Sequence, residues 1–326
     1  MRYAVPGTIL RSVTTGRSSF GDLQPCRFHR PAKQMIRAVL LSLRPQQWTK
    51  NLVIFAAVLF VNRFTDAGAL LKVGAAFLLF CVLSGSVYLL NDLRDAERDR
   101  LHPIKRHRPV ASGALPKNLA GVWGVALLSI SLVAGFALDV SFGAVAASYA
   151  AVAISYTFLL KNLVIIDILA VSAGFVLRVV AGAVVIHVET SPWILICTLF
   201  LALLLSLGKR RSEILVLEQN AGGHRPNLQE YSVQFLDYLM LLVTAGALMS
   251  YLLYALASGR HGPFMGITIP FVFYGILRYL YLAFQKDLGE NPAELLVKDR
   301  PLLVNAVLWV LSAMVALYLE RPHIGR

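Results

Sequence analysis

The chain has 326 residues, of which 57% are hydrophobic and only 15% are charged. Soluble globular proteins are roughly half apolar and about a quarter charged, so this composition excludes an ordinary soluble domain and favours an integral membrane protein. The net charge of +13 would also suit a nucleic-acid-binding protein, but basic residues gathered in the cytoplasmic loops of a membrane protein give the same total.

The beginning of the chain differs in composition from the rest. Residues 1–34 are rich in Arg, Ser, Thr, Pro and Gly and contain a single acid, Asp22. We predict a disordered basic arm without a chemical role. A transit peptide has the same composition, and translation that begins at Met35 is a third interpretation. Residues 35–320 then form one transmembrane domain, and residues 321–326 form a short tail.

Apolar segments long enough to cross a bilayer follow one another along the domain. They cover residues 50–62, 70–90, 119–138, 141–160, 163–186, 192–207, 238–257, 264–284 and 302–319. The first is short and is extended backwards by an amphipathic stretch, 35–44. Because the linkers are polar and mostly short, the sequence predicts an all-α membrane protein, a single bundle of about nine transmembrane helices.

Basic residues are divided unequally between the two ends of these helices. With the N-terminus inside, 24 of the 31 lysines and arginines fall in cytoplasmic segments and five fall outside. The remaining two, Arg178 and Arg278, lie within helices. The positive-inside rule predicts a multi-pass protein of the cell (inner) membrane, with the N-terminus in the cytoplasm and the C-terminus outside. This distribution accounts for the net charge without nucleic acid.

Three aspartates mark the cytoplasmic end of the second segment, in the stretch Asn91–Asp99. If the helix continues, Asp92, Asp95 and Asp99 occupy positions i, i+3 and i+7, within an arc of about 60°. Three carboxylates on one stripe repel one another unless a cation lies among them, and hard oxygen ligands suit Mg²⁺. The alternative is a solvated helix end neutralised by neighbouring arginines. The membrane-edge position favours the metal site.

A basic stretch, 102–109, follows directly. Its residues Lys105, Arg106 and Arg108 supply point charges and a fork of N–H donors for phosphate oxygens. Positive-inside topology alone would also explain them. Carboxylates for a metal followed by cations for phosphates are better interpreted as one site.

Further polar groups occur at the same predicted face of the membrane. Asp167 and Arg178 lie on one face of the fifth segment, lining a pocket or forming a salt-linked packing pair. The others are Lys50, Asn51, Tyr156, Lys161, Lys209, Arg210, Glu213, Asp299 and Arg300. Each alone would be a snorkelling interface residue, but together they predict a cationic mouth that faces the cytoplasm.

At these residues the sequence resembles the UbiA superfamily of intramembrane prenyltransferases, whose hallmark is the Asn-Asp-x-x-Asp-x-x-x-Asp pattern seen at 91–99. The resemblance covers about residues 35–320 and includes Leu43–Asn51, the basic stretch, Ala173–Arg178 and Gly208–Glu213. It implies a Mg²⁺-dependent enzyme in which Asp92, Asp95 and Asp99 are catalytic metal ligands. The predicted substrate-binding residues are Lys50, Asn91, Lys105, Arg106, Arg108, Tyr156, Lys161, Asp167, Arg178, Lys209, Arg210 and Glu213.

The basic stretch and the Gly208–Glu213 segment resemble those members that transfer a 5-phosphoribosyl group from 5-phosphoribosyl diphosphate to a polyprenyl phosphate. Members with aromatic acceptors carry a second Asp-rich motif; here Asp167 matches its first position, but Val171 occupies the position four residues further on. Two alternatives stay open: prenyl transfer to an aromatic or lipid-alcohol acceptor, and a phosphate or lipid transporter. The expected partners are the two substrates and the lipid bilayer but not nucleic acid, and the sequence leaves an oligomer open.

Overall fold

The computed structural model describes residues 32–101, 104–219, 230–257, 263–289 and 292–320, and within these ranges every regular element is helical. The α-helices are α1 Ala32–Ser42, α2 Ala56–Phe60, α3 Ala67–Arg94, α4 Ala96–Leu101, α5 Lys117–Leu138, α6 Val140–Phe158, α7 Ile166–Val184, α8 Pro192–Gln219, α9 Val233–Ala257, α10 Ile269–Gln285, α11 Pro292–Lys298 and α12 Arg300–Glu320. Most of the predicted arm and the whole predicted tail lie outside the described residues.

Eight helices in the described ranges are long and apolar enough to cross a membrane. They are α3, α5, α6, α7, α8, α9, α10 together with the 3-10 turn before it, and α12. These eight coincide with the predicted segments from 70–90 to 302–319, so the all-α fold is confirmed. Helix α7 is central, because it packs against α6 on one side and α8 on the other.

The first predicted segment, 50–62, has a different conformation from the other eight. Eleven residues, Pro45–Phe55, form a 3-10 helix, and the five residues of α2 continue it. We call Pro45–Phe60 the crossing segment. At about 2.0 Å per residue in a 3-10 helix and about 1.5 Å in an α-helix, it extends roughly 30 Å, the thickness of a bilayer core. The predicted count of nine therefore becomes eight long helices and this segment.

The two ends of the crossing segment lie at opposite ends of the bundle. Arg44, just before it, contacts Asp92 near the end of α3. Asn62, just after it, donates a hydrogen bond to the carbonyl of Leu317 near the end of α12, at 2.7 Å. Between these points the segment packs against α3 and α7. At Gly182 of α7, an added Cβ would lie 2.0 Å from the carbonyl oxygen of Ile54, so only glycine allows this approach.

Side-chain caps fix where several helices begin. Asp66 accepts the backbone N–H of Ala69 before α3, and Asp139 accepts that of Phe142 before α6. Asp299 does the same before α12, at 2.9 Å from the nitrogen of Leu302. Each cap satisfies an N–H group that has no partner within its helix.

Helix α8 is longer than the predicted segment 192–207, since it continues to Gln219. Lys209, Arg210 and Glu213 therefore lie on α8 itself and not in a loop after it. Their ion pairs, three and four residues apart, support the additional turns. The site residues thus project from a regular helix.

Particular helix ends are gathered on one side of the bundle. The C-terminal ends of α3, α6 and α8 lie there with the N-terminal ends of α7 and α9, as side-chain contacts among them show. The apolar interior of the described residues contains four clusters. The two largest include Phe80 with Phe142 and Leu236 with Met240. The polar end of the bundle is the candidate site.

Candidate active site

Two of the three predicted metal-binding aspartates share one arginine. Asp92 at the end of α3 and Asp99 on α4 are both buried, 2% and 4% exposed. Nη1 of Arg108 lies 3.1 Å from Oδ1 of Asp92 and 2.7 Å from Oδ2 of Asp99. Arg44 contacts the same oxygen of Asp92. The two carboxylates are therefore close together, as the sequence predicts.

Asp95 departs from the predicted continuous stripe. Helix α3 ends at Arg94 and α4 begins at Ala96, so Asp95 lies at a bend between them. Its two carboxylate oxygens accept hydrogen bonds from Nζ of Lys161, at 2.9 and 3.0 Å. Arg94 also ties the bend to α6, donating to the carbonyl of Thr157. In this structure Asp95 is thus paired with a lysine from the segment between α6 and α7.

The chemistry of these carboxylates fits a divalent cation. No group of three or more His, Cys, Asp or Glu side chains in the described parts of the chain is arranged to hold a metal. However, Asp92 and Asp99 already enclose a positive group, the guanidinium of Arg108. Carboxylate oxygens are the hard ligands that Mg²⁺ prefers. The donor set therefore fits Mg²⁺, while the ligand role of each aspartate stays a prediction.

A second cluster is built around Asp167 at the start of α7. Asp167 is fully buried and accepts hydrogen bonds from Nε of Arg210 at 2.8 Å and from the hydroxyl of Tyr231 at 3.0 Å. Arg210 also contacts Glu213, and it donates to the hydroxyl of Tyr156 at 3.0 Å. The charge of Asp167 is therefore neutralised by an arginine from α8.

The backbone just before Asp167 is strained. Ile165 has φ 67° and ψ −45°, and the N–H of Ile166 bonds to the carbonyl of Val164 at 2.8 Å. This is a γ-turn, rare for a β-branched residue. The hydroxyl of Tyr231 accepts the N–H of Ile165 while it donates to Asp167. Tyr231 thus holds both the turn and the carboxylate.

Arg178 lies deeper in the bundle and does not pair with Asp167. It is 5% exposed and donates to Oδ1 of Asn51 at 2.7 Å, the carbonyl of Gly174 at 2.8 Å and the hydroxyl of Tyr149 at 2.9 Å. The alternative prediction of a salt-linked pair with Asp167 is therefore wrong, since each residue has its own partners. Two cation–π contacts, with Tyr149 and Phe175, complete its surroundings.

Lysines connect the two carboxylate clusters. Lys50 on the crossing segment interacts electrostatically with Arg44 and Arg178. Lys209 on α8 interacts with Lys50 and Arg210 and lies 3.9 Å from Glu213. The side chain of Lys209 is 48% exposed. We call Arg44, Lys50, Lys209 and Arg210 the band of cations between Asp92 and Asp167.

The structure places the other predicted residues less centrally. Arg106 is exposed and its Nε lies 3.4 Å from a ring nitrogen of His107, so it lies at the periphery of the site, and its role in phosphate binding stays a prediction. Lys105 lies half-buried on the same 3-10 turn, and Asn91 is half-buried on the last turn of α3. The first two residues of the predicted basic stretch, 102 and 103, lie outside the described residues.

Sequence reasoning did not predict three residues that hold the site together. Arg44, Tyr149 and Tyr231 each bind a predicted site residue: Asp92, Arg178 and Asp167 respectively. Arg44 lies in one of the stretches that carry the family resemblance, which was a usable signal. The two tyrosines come from apolar or loop-like surroundings, and only the packing of α6 and the start of α9 reveals them.

An all-helical apolar bundle with buried carboxylates and cations gathered at one end has the architecture expected of an intramembrane enzyme that acts on anions. The sequence model of the UbiA prenyltransferase family matches residues 52–306, and the chain belongs to this family. The chain is an integral membrane protein.

Several relatives share most of their length with this chain. It is 36% identical over 300 residues to a decaprenyl-phosphate phosphoribosyltransferase of Corynebacterium glutamicum, covering 89% of each chain. It is 33% identical over 307 residues to the enzyme of the same name from Mycolicibacterium smegmatis, covering 88% of this chain and 95% of the relative. Among solved structures, a UbiA homologue from Archaeoglobus fulgidus bound to GPP and Mg²⁺ has a TM-score of 0.68 at 18% identity and covers 86% of this chain and 99% of the other. That likeness supports the fold.

Proposed function

We propose that this chain transfers a 5-phosphoribosyl group from 5-phosphoribosyl 1-diphosphate to a polyprenyl phosphate of the decaprenyl type, releasing diphosphate at the cytoplasmic face of the membrane. The observation that carries the proposal is the pair Asp92 and Asp99 around a shared cation, continued by a band of cations that reaches Arg210. Both substrates of this reaction are anions, and the named relatives are enzymes of this activity.

The carboxylates and the cations of the site have different proposed roles. Asp92, Asp95 and Asp99 would hold Mg²⁺ with the diphosphate, and the bound ion would stabilise the negative charge that grows on this leaving group. Arg108 and Arg44 already lie beside Asp92, where their guanidinium groups can bind phosphate oxygens. Lys209 and Arg210 supply further positive charge on the other side of the site.

The bond changes require little proton transfer. The C1–O bond to diphosphate breaks, and an oxygen of the lipid phosphate forms the new bond to the anomeric carbon. A phosphate monoester has its second pKa near about 6, so the attacking oxygen is ionised at neutral pH. The task of the chain is therefore to position two anions against each other, which the fixed cations of α7, α8 and the crossing segment can do.

The test measures diphosphate release by the purified protein in detergent, with Mg²⁺, 5-phosphoribosyl diphosphate and a polyprenyl phosphate. Release should require the lipid and should fall at least about a hundredfold in Asp92→Asn. Glu97→Gln is the matched control, because Glu97 is an exposed carboxylate on α4 paired with Arg100 and Lys117. No release with this donor, but turnover of a prenyl diphosphate with an aromatic acid, would assign the chain to the other branch of the family.

A further inference from the structure

Arg178 lies on α7, deeper in the bundle than the carboxylates of the candidate site. It follows Asp167 by eleven residues on α7, which is about 16 Å along the helix axis. Its three hydrogen-bond acceptors, on Asn51, Gly174 and Tyr149, are all neutral. Burying a guanidinium with only neutral partners is costly unless an anion joins it. Two of its five N–H groups are not used by these contacts.

Lys50 is a second cation that does not pair with a carboxylate among the described residues. It directly precedes Asn51, and its electrostatic neighbours Arg178 and Arg44 are both positive. Lys50 forms no ion pair with a carboxylate in the described part of the chain, and it is half-buried. Lys209 interacts with it electrostatically, and the side chain of Lys209 is 48% exposed.

The candidate site contains more cationic side chains than carboxylates. Among the described residues, seven cationic side chains lie at or between the two carboxylate clusters: Arg44, Lys50, Arg108, Lys161, Arg178, Lys209 and Arg210. Five carboxylates face them: Asp92, Asp95, Asp99, Asp167 and Glu213. Each carboxylate pairs with at least one of the other five cations. The two left over are Lys50 and Arg178, so the surplus has a defined position.

We propose that Lys50 and Arg178 form a binding site for a phosphate monoester dianion, separate from the carboxylates that handle the diphosphate. A phosphate monoester carries about −1.5 to −2 at neutral pH, which matches two unpaired cations. The inference rests on the proposed function and deepens it. Two reactants carry this group: the ribosyl donor, through its 5-phosphate, and the lipid acceptor, through its terminal phosphate.

Direct binding distinguishes these sources without any turnover. Ribose 5-phosphate represents the donor end and farnesyl phosphate the acceptor end, each titrated against the full chain in detergent by calorimetry. In Lys50→Gln and Arg178→Gln we expect at least one of the two ligands to bind about tenfold to a hundredfold more weakly. Arg98→Gln is the control, because Arg98 is an exposed arginine on α4. Weaker binding of ribose 5-phosphate alone assigns the site to the donor, and weaker binding of farnesyl phosphate alone assigns it to the acceptor. Weaker binding of both ligands shows that the site accepts either phosphate monoester.

The design separates a binding role from a bracing role. Arg178 joins α6 and α7 to the crossing segment, so Arg178→Gln could unfold the chain, whereas Lys50 makes no such contact and Lys50→Gln should keep the melting temperature. If Lys50→Gln is folded and binds both ligands as tightly as the unaltered chain, the inference is wrong. The inference is equally overturned if the unaltered chain binds neither ligand. The experiment measures binding and not catalysis. Its result can therefore be interpreted even if the proposed transfer reaction does not take place.

Discussion

The hydroxyl of Tyr231 donates a hydrogen bond to the buried carboxylate of Asp167 at 3.0 Å and accepts one from the strained backbone at Ile165. A residue just before α9 therefore fixes both the backbone turn and the charged group at the start of α7. Since Asp167 in turn holds Arg210, the position of this cation of the candidate site depends on Tyr231.

Removal of that hydroxyl should loosen the start of α7. Tyr231→Phe removes one of the hydrogen bonds that Asp167 accepts and the hydroxyl that accepts the N–H of Ile165, and we expect a loss of about 2 kcal/mol in the free energy of unfolding. Burial, joined by the neighbouring Asp167 carboxylate, raises the pKa of Tyr231 to about 12. The neutral hydroxyl of Tyr231 therefore contributes its full stabilisation of the fold below the ordinary tyrosine pKa of about 10. This stabilisation is lost as the pH rises through about 12. The difference in melting temperature between the two proteins should be constant from pH 7 to 9 and shrink above that; a constant difference to the highest pH would contradict this assignment.

Arg108 and a divalent cation should compete for the same carboxylates. Arg108→Gln leaves Asp92 and Asp99 without their shared partner, so we expect a lower melting temperature in EDTA. Addition of Mg²⁺ should raise the melting temperature of the variant by more than that of the unaltered chain. Equal shifts in both proteins would show that the ion binds elsewhere. Arg98→Gln, a change at an exposed arginine on α4, the helix that carries Asp99, serves as the control.

Gly208 leaves room for a tyrosine that packs against α8. An added Cβ at Gly208 would lie 2.1 Å from the hydroxyl oxygen of Tyr279, and that buried hydroxyl has no hydrogen-bond partner among the described residues. Gly208→Ala should therefore cost about 1–3 kcal/mol of stability through overpacking. Combining it with Tyr279→Phe, which removes the clashing atom, should restore much of the loss. Thermal denaturation of the single and double variants measures this, with Gly74→Ala of α3 as the control because nothing lies within 4 Å of its added Cβ.

The start of α12 should be sensitive to acid. Asp299 accepts hydrogen bonds from Nε and Nη2 of Arg278, at 3.2 and 2.8 Å, and caps Leu302. The hydrogen bonds from Arg278 are the largest cause that lowers the pKa of Asp299 below its usual range. The ionised carboxylate of Asp299 therefore stabilises the fold above the ordinary aspartate pKa of about 3.9. This stabilisation is lost as the pH falls through the lower pKa that Asp299 has in the folded chain. Asp299→Asn should melt at a lower temperature than the unaltered chain at pH 6, and the two should converge towards pH 3. An unchanged gap at pH 3 would mean that the carboxylate is not the titrating group.

Long apolar runs were sufficient to predict eight of the helices, because a bilayer allows few alternatives to a continuous helix. The crossing segment was harder to predict: its apolar stretch is short, and it packs closely against Gly182, which is distant from it in sequence. The break between α3 and α4 at Asp95 was missed as well, and the pairing of Asp95 with Lys161 joins residues that are distant in sequence.

The site itself was predicted better in composition than in pairing. Residue types and the one-sided distribution of charge pointed to Asp92, Lys209 and Arg210 before any coordinates. Which cation meets which carboxylate could not be predicted, because i, i+4 spacing describes neighbours on one helix only. Arg178 illustrates this: its polar partners include Asn51 and Tyr149, and neither is on its own helix.

The 3-10 form of the crossing segment makes its length as important as its sequence. With three residues per turn, Asn51, Ile54 and Ala57 share one edge, and all three are buried. Inserting or deleting one residue would rotate everything beyond it by about 120° and expose that edge to lipid. Substitutions on the outer edge, such as those at the exposed Leu52, cause no such rotation. This stretch should therefore accept changes of side chain on one edge and almost no change in the number of its residues.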